Sequence, residues 1–246
     1  MARSVAEKKE QLPAPIDFSV DSSAGFEGLT QSDLAIPFIS LMQKTSQKVE
    51  ELDHVQPGTI FNSVTQETQD SICVIPVSYK REFVEWVPTE QGGGYVAAHA
   101  PNSDTTKSAT WVEGKCVLPN GNQLVETANH FVLVVTDSDT TRGLVTMSSS
   151  QLKKNRRWNS LMLGLKMQDA EGNSFTPARY SHQYHLSVCK EQKANKTWFG
   201  WEIELLGPVT DASLYSLAKD FAQQVQAGEV NLGPRKDDDL NDEIPF

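Results

Sequence analysis

The chain has 246 residues, 38% of them hydrophobic and 22% charged, enough to build a sizeable core in one large domain or two small ones. Its 32 acidic and 22 basic residues give a formal charge of −10, and no apolar run approaches the roughly 20 residues of a membrane helix. Cys73, Cys116 and Cys189 are too dispersed for a disulfide framework, and no apolar stretch follows the charged start, so a reducing cytoplasm is expected and a secretory leader is not.

Residues 1–28, with Pro13 and Pro15 ahead of a Ser-, Asp- and Gly-containing stretch, are expected to form a flexible N-terminal arm. Ser32 or Asp33 is expected to cap a helix running through Phe38, Leu41 and Met42 to about Lys48, with Pro37 in its early part. From Gly58 to Asp137 the pattern is β. Thr59–Val64 is a strand, and Ile72–Val77 another, in which Pro76 marks an edge or a bulge. Lys80–Val87 alternates, with Tyr79, Lys80, Arg81, Phe83 and Trp86 forming a minor basic and aromatic patch. Gly92-Gly93-Gly94 reads as a loop, Asn120-Gly121 as a tight hairpin signal, Phe131–Val135 as a buried central strand and Leu144–Met147 as a short one.

Ser148-Ser149-Ser150 is expected to cap a helix from about Gln151 to Met167. Trp158, Leu161, Met162 and Leu165 recur on one of its faces, with Lys153, Arg156 and Arg157 opposite. Strands follow at Tyr180–Val188 and Trp198–Leu206, joined by a lysine-bearing hairpin loop. A last helix begins after Asp211, presents Leu214, Leu217, Phe221 and Val225, and stops at Gly228. The fold class is therefore mainly β, of α+β type. A small Greek-key barrel with an inserted helix and a C-terminal helix fits this order, and so does a generic α+β sheet.

The charge is unevenly spread. Residues 145–200 hold 9 basic and 3 acidic residues, a net +6 inside an acidic chain. Cations that track phosphates and flat rings on which bases stack are the two requirements of single-strand binding. Here Lys153, Lys154, Arg156 and Arg157 lie beside Trp158, and Arg179 beside Tyr180, with Tyr184 further along. Lys190, Lys193 and Lys196 lead into Trp198-Phe199-Gly200-Trp201. Trp158 reads more readily as core. Trp198 and Trp201 have opposite parity on a strand, so one of them is expected in the core unless a bulge at Gly200 intervenes.

Other chemistry is weakly represented. His182 and His185 have opposite parity, and with Cys189 they complete no tetrahedral metal set. The triple glycine lacks the Lys-Ser/Thr of a phosphate loop, and no nucleophile elbow or catalytic carboxylate pair stands out. No enzyme activity, metal or cofactor is expected.

The last ten residues are Asp237, Asp238, Asp239, Leu240, Asn241, Asp242, Glu243, Ile244, Pro245 and Phe246. Clustered acids keep such a segment extended, while Ile244 and Phe246 are large apolar groups with no local core, and Pro245 lowers the entropy lost on docking. A partner pocket with an apolar floor and a basic rim would read both features. This run resembles the C-terminal tip of bacterial single-stranded DNA-binding proteins, which ends in acids followed by Ile-Pro-Phe and recruits replication, recombination and repair enzymes. Leu240-Asn241 interrupts the acids, and the long Gly/Gln/Pro-rich linker of the bacterial protein is missing, so the body is closer to a phage-encoded version.

The resemblance implies an OB-fold-like body at residues 29–228, ahead of a linker and disordered acidic tail at 229–246. It implies a protein that coats single-stranded DNA and recruits enzymes through the tip, without a membrane and with homo-oligomerisation left open. A strand-annealing mediator and a non-DNA-binding mimic of the tip are the alternatives.

Overall fold

The computed structural model describes residues 17–30 and 33–230. The chain divides into one unit ending at Leu34 and another beginning at Ala35. In the first, the Asp17 carboxylate accepts from the Ser19 amide and caps a single 3-10 turn at Phe18–Asp21.

The second unit is built mainly from strands. In chain order it contains β1 (Phe38–Leu41), α1 (Gln47–Glu51), β2 (Ile60–Asn62), β3 (Thr68–Gln69), β4 (Ser71–Trp86), β5 (Tyr95–His99), α2 (Asp104–Ser108), β6 (Thr110–Val112) and β7 (Lys115–Val117). Then come β8 (Gln123–Val135), β9 (Thr140–Ser148), α3 (Leu152–Gly164), β10 (Met167–Gln168), β11 (Ser174–Phe175), β12 (His182–Lys193), β13 (Lys196–Pro208) and α4 (Ala212–Ala227). One curled sheet runs in the order β13-β12-β4-β8-β9-β1-β2-β3, with β5 on β4 and the β6–β7 hairpin on β8. Among the described residues every pairing is antiparallel except β1 with β9.

Period-2 alternation sends each strand's side chains to two cores. Ile72 and Val74 of β4 join Ala128, Val132 and Val134 of β8 inside the curl, where Tyr184, Trp201 and the α3 residues Trp158 and Met162 complete the cluster. Ile75 and Val77 of β4 and Phe131 and Leu133 of β8 face outward and are covered by Ala218, Phe221 and Ala222 of α4. Helix α4 starts where the Asp211 carboxylate accepts from the Ser213 and Leu214 amides, and stops at Gly228 in the left-handed conformation. The Gln43 amide, just beyond β1, donates to the Phe199 carbonyl and accepts from the Phe199 amide, each at 2.9 Å, so it stands in for a strand residue against β13. The two sides of the curl meet there.

Several expectations change. Phe38–Leu41 is a strand rather than part of a helix, because its alternating burial lets Ile39 and Leu41 enter the core while Phe38 and Ile39 pair in parallel with Leu144 and Val145. Pairing across the sheet overrides the local period. Helix α3 ends at Gly164 instead of Met167, since Met167 is drawn into the β10–β11 ladder opposite Phe175. Its start is a 3-10 turn at Ser149–Gln151 with no side-chain cap. Tyr180 lies in a 3-10 turn at Arg179–Ser181, and β12 begins only at His182. The lysine loop is also shorter than expected: Lys190 and Lys193 are on β12, Lys196 is on β13, and only Ala194 and Asn195 separate the strands. The Pro76 bulge is present as a register shift between Pro76 and Ser78, as a residue without an amide donor requires.

Candidate nucleic-acid interface

The +6 segment folds around α3. This helix closes the inner core with Trp158 and Met162, so its remaining sides carry Lys153, Arg156 and Arg157 into solvent. None of the three has an ion-pair partner among the described residues. Lys154 differs: its Nζ lies 2.9 Å from Glu191 Oε1 and 3.8 Å from Glu202 Oε2. Burial alone would lower this ammonium, but the hydrogen bond with Glu191 and the nearby Cys189, Glu191 and Glu202 charges raise it overall. Lys154 is therefore a strut between α3 and the β12–β13 hairpin.

That strut orients the hairpin. Glu191 lies opposite Trp198 and Lys193 opposite Lys196, so by strand parity these four share the face that Lys154 reaches. Lys193 and Lys196 are exposed, and Trp198 is half-buried with its indole Nε1 donating to Glu191 Oε2 at 2.8 Å. Lys190, opposite Phe199, is exposed on the other face.

Four of the site residues read from the sequence lie elsewhere. Trp201 is 1% exposed and Tyr184 0%, both in the inner core, so neither ring offers a face to a base. Continuous register through Gly200 supplies no bulge to turn Trp201 outward. Burial pushes the Tyr184 hydroxyl up to about 12, with only partial relief from Arg179. Tyr180 packs edge-on to Tyr215 in the α4 cluster, away from the cations of α3. Arg179 turns inward to bond His130 and Asn159. The acidic tip, Asp237 to Phe246, lies outside the described residues.

Two clefts flank α3. An apolar one of about 350 Å³ has Trp158, Leu161, Trp201 and Ile203 in its lining and Lys154 and Arg157 at its rim. A polar one of about 430 Å³ is lined by Tyr79, Arg81, Glu126, Asn155, Arg156, Asn159 and Ser160. The minor Tyr79–Arg81 patch thus meets α3, although it is far from α3 in sequence. Asn155 and Asn159 escaped the sequence reading; their i, i+4 spacing puts them on one helix face, but nothing local gives amides a role. Trp111, 72% exposed on the β6–β7 hairpin, also escaped it. Its signal would have been a lone aromatic in a stretch otherwise polar.

Among the described residues no helix is long and apolar enough to cross a membrane. The chain belongs to the family described as Pam3 phage gp34-like protein, whose model matches residues 6–231. That match ends before the acidic tip. No curated protein and no solved structure matches the chain.

Proposed function

We propose that this chain is a phage single-stranded DNA-binding protein of the host cytoplasm, non-catalytic, that coats single strands during replication, recombination and repair. The observation that carries the reading is that Lys153 and Arg157 of α3 lie beside the hairpin that carries Lys193, Lys196 and Trp198, with Arg156 on the other flank of the helix. Exposed cations outside any ion pair track phosphates, and an accessible indole stacks bases.

Strand order supports an OB-type barrel for the body. β4, β8 and β9 form a meander, α3 follows the third strand, β12 returns to pair with β4, and β13 pairs with β12. This order is the one expected of the Greek-key connection in a five-stranded, partly open barrel, and in that reading the β12–β13 turn corresponds to a loop that contacts oligonucleotides. Gln43 bridges from β1 to β13 where the barrel would close.

The tip, with Asp237, Asp238, Asp239, Asp242 and Glu243 ahead of Ile244, Pro245 and Phe246, recruits replication, recombination or repair enzymes in this reading. Its acids also compete with DNA for the cations. Oligo-dT titrated against full-length protein and a variant lacking residues 237–246 tests both parts. Salt-sensitive binding that tightens about three-fold on truncation is expected, an order-of-magnitude value for a screened tail. Absence of binding by the full chain overturns the DNA reading; unchanged affinity after truncation overturns the competition.

A further inference from the structure

The polar cleft is backed by a hydrogen-bond ring whose polarity is fixed by one residue. Arg179 can only donate, so its guanidinium nitrogen 2.6 Å from His130 Nδ1 makes that atom an acceptor. The His130 proton is therefore on Nε2, which donates to Asn155 Oδ1 at 2.8 Å. Asn159 Nδ2 donates to the same oxygen at 2.9 Å, while Asn159 Oδ1 accepts from Arg179 at 3.0 Å and closes the ring. Both carboxamide oxygens thus accept inside the ring, Asn155 Oδ1 twice and Asn159 Oδ1 once. Asn155 Nδ2 has only a long 3.4 Å contact with the Tyr79 hydroxyl, and Asn159 Nδ2 has a second proton to give. Both residues line the cleft, so it is furnished with amide donors locked in orientation.

The charge balance points the same way. Arg179 has no carboxylate partner among the described residues, and its Nε is buried without a hydrogen bond. Burial lowers this guanidinium to about 10, only partly offset by Tyr79 and Tyr184. A cation without a counter-charge is costly in a low-dielectric site, and a polyanion alongside would relieve it. Arg156 lines the same cleft, exposed and unpaired. On the opposite wall Arg81 is neutralised by Glu126 at 2.8 Å. That carboxylate repels phosphate, which assigns the anion to the α3 side.

We infer that this cleft takes one nucleotide of a bound single strand, with its phosphate on Arg156 and its base beside Tyr79, where a base acceptor receives Asn155 and Asn159. The assignment rests on the DNA-binding reading above and adds a site away from the hairpin face. Every base carries at least one edge acceptor, so the cleft tolerates sequence. Arg179 and His130 are positioning residues: they touch the amides rather than the strand.

The experiment compares oligo-dT with an abasic strand of equal length, by fluorescence anisotropy on the full chain. Tyr79→Leu is expected to weaken oligo-dT by ~10-fold while changing the abasic strand less than ~2-fold, in the range of one lost stacking contact. Arg156→Ala is expected to weaken both strands equally. Asn159→Asp gives Arg179 a carboxylate but loses the hydrogen bond to Asn155 and removes a donor from the cleft, so it is expected to weaken oligo-dT by ~10-fold, with retention of the fold checked by circular dichroism.

If the wild type binds both strands and Tyr79→Leu changes neither, or both alike, the base site is overturned and the DNA reading stands. The base site is overturned in the same way if Asn159→Asp binds oligo-dT like the wild type, which keeps the test valid even where Tyr79→Leu fails to fold. If the wild type binds neither strand, the DNA reading falls and this site with it.

Discussion

Lys193→Gln combined with Lys196→Gln is the perturbation that most directly tests how the molecule would hold a polyanion. On α3 and the β12–β13 hairpin, six exposed cations have no ion-pair partner among the described residues: Lys153, Arg156, Arg157, Lys190, Lys193 and Lys196. Lys154 and Arg179 do not join them, one being tied to Glu191 and the other turned into the fold. If each of the six neutralises one phosphate of a single strand, the slope of log affinity against log salt is about −4, at roughly −0.7 per phosphate. Raising salt from about 50 to about 200 mM then weakens binding by ~300-fold. The double variant removes two contacts, so its slope falls to about −3. Fluorescence anisotropy of labelled oligo-dT across a salt series measures both slopes. A wild-type slope shallower than about −1, or a double variant that keeps the wild-type slope, would refute the reasoning.

Three further outcomes follow from the packing. Trp86, Trp158 and Trp201 are buried, so any quenching of intrinsic fluorescence by oligo-dT should come chiefly from Trp198, and Trp198→Phe should remove most of it; quenching that survives this change and vanishes in Trp111→Phe would move the contact to the β6–β7 hairpin. Burial, then the Arg179 charge, hold His130 well below the ordinary 6.5 against an opposing hydrogen bond with Asn155. Because the folded form resists protonation, its contribution is complete above the unfolded value and is lost as pH falls below it, at up to ~1.4 kcal/mol per pH unit. Urea unfolding between about pH 7 and pH 5 should show this loss in the wild type and a smaller one in His130→Gln, and an imidazole titrating near its ordinary value in an NMR series would contradict it. Gln43→Ala leaves the part-buried Phe199 amide and carbonyl without their Gln43 partner and should cost about 1–2 kcal/mol; a change under about 0.5 kcal/mol would mean that the bridge to β13 contributes little.

Local chemistry alone determined a good part of this protein. An unbroken apolar run marked Phe131–Val135 as a buried strand, Pro76 marked an edge or a bulge, and Asp211 and Gly228 marked the limits of α4, because short apolar runs, caps, missing donors and left-handed glycines act within a few residues. The acidic tip is likewise read entirely from sequence, since its argument needs only charge, two apolar side chains and their order.

Tertiary structure decided which of the marked residues meet. Phe38–Leu41 satisfies a helical period but becomes a strand because β9 offers it a parallel partner. Trp198 and Trp201 are equivalent in composition, yet strand parity and the placement of α3 put one near solvent and the other in the core. Arg179 counted as a phosphate contact in the linear reading. Only the fold could bring His130 and Asn159 to it, from 49 and 20 residues away, and turn its charge inward. Period and composition report a residue's own neighbours, whereas burial and the partner of a charge depend on segments that arrive from elsewhere in the chain.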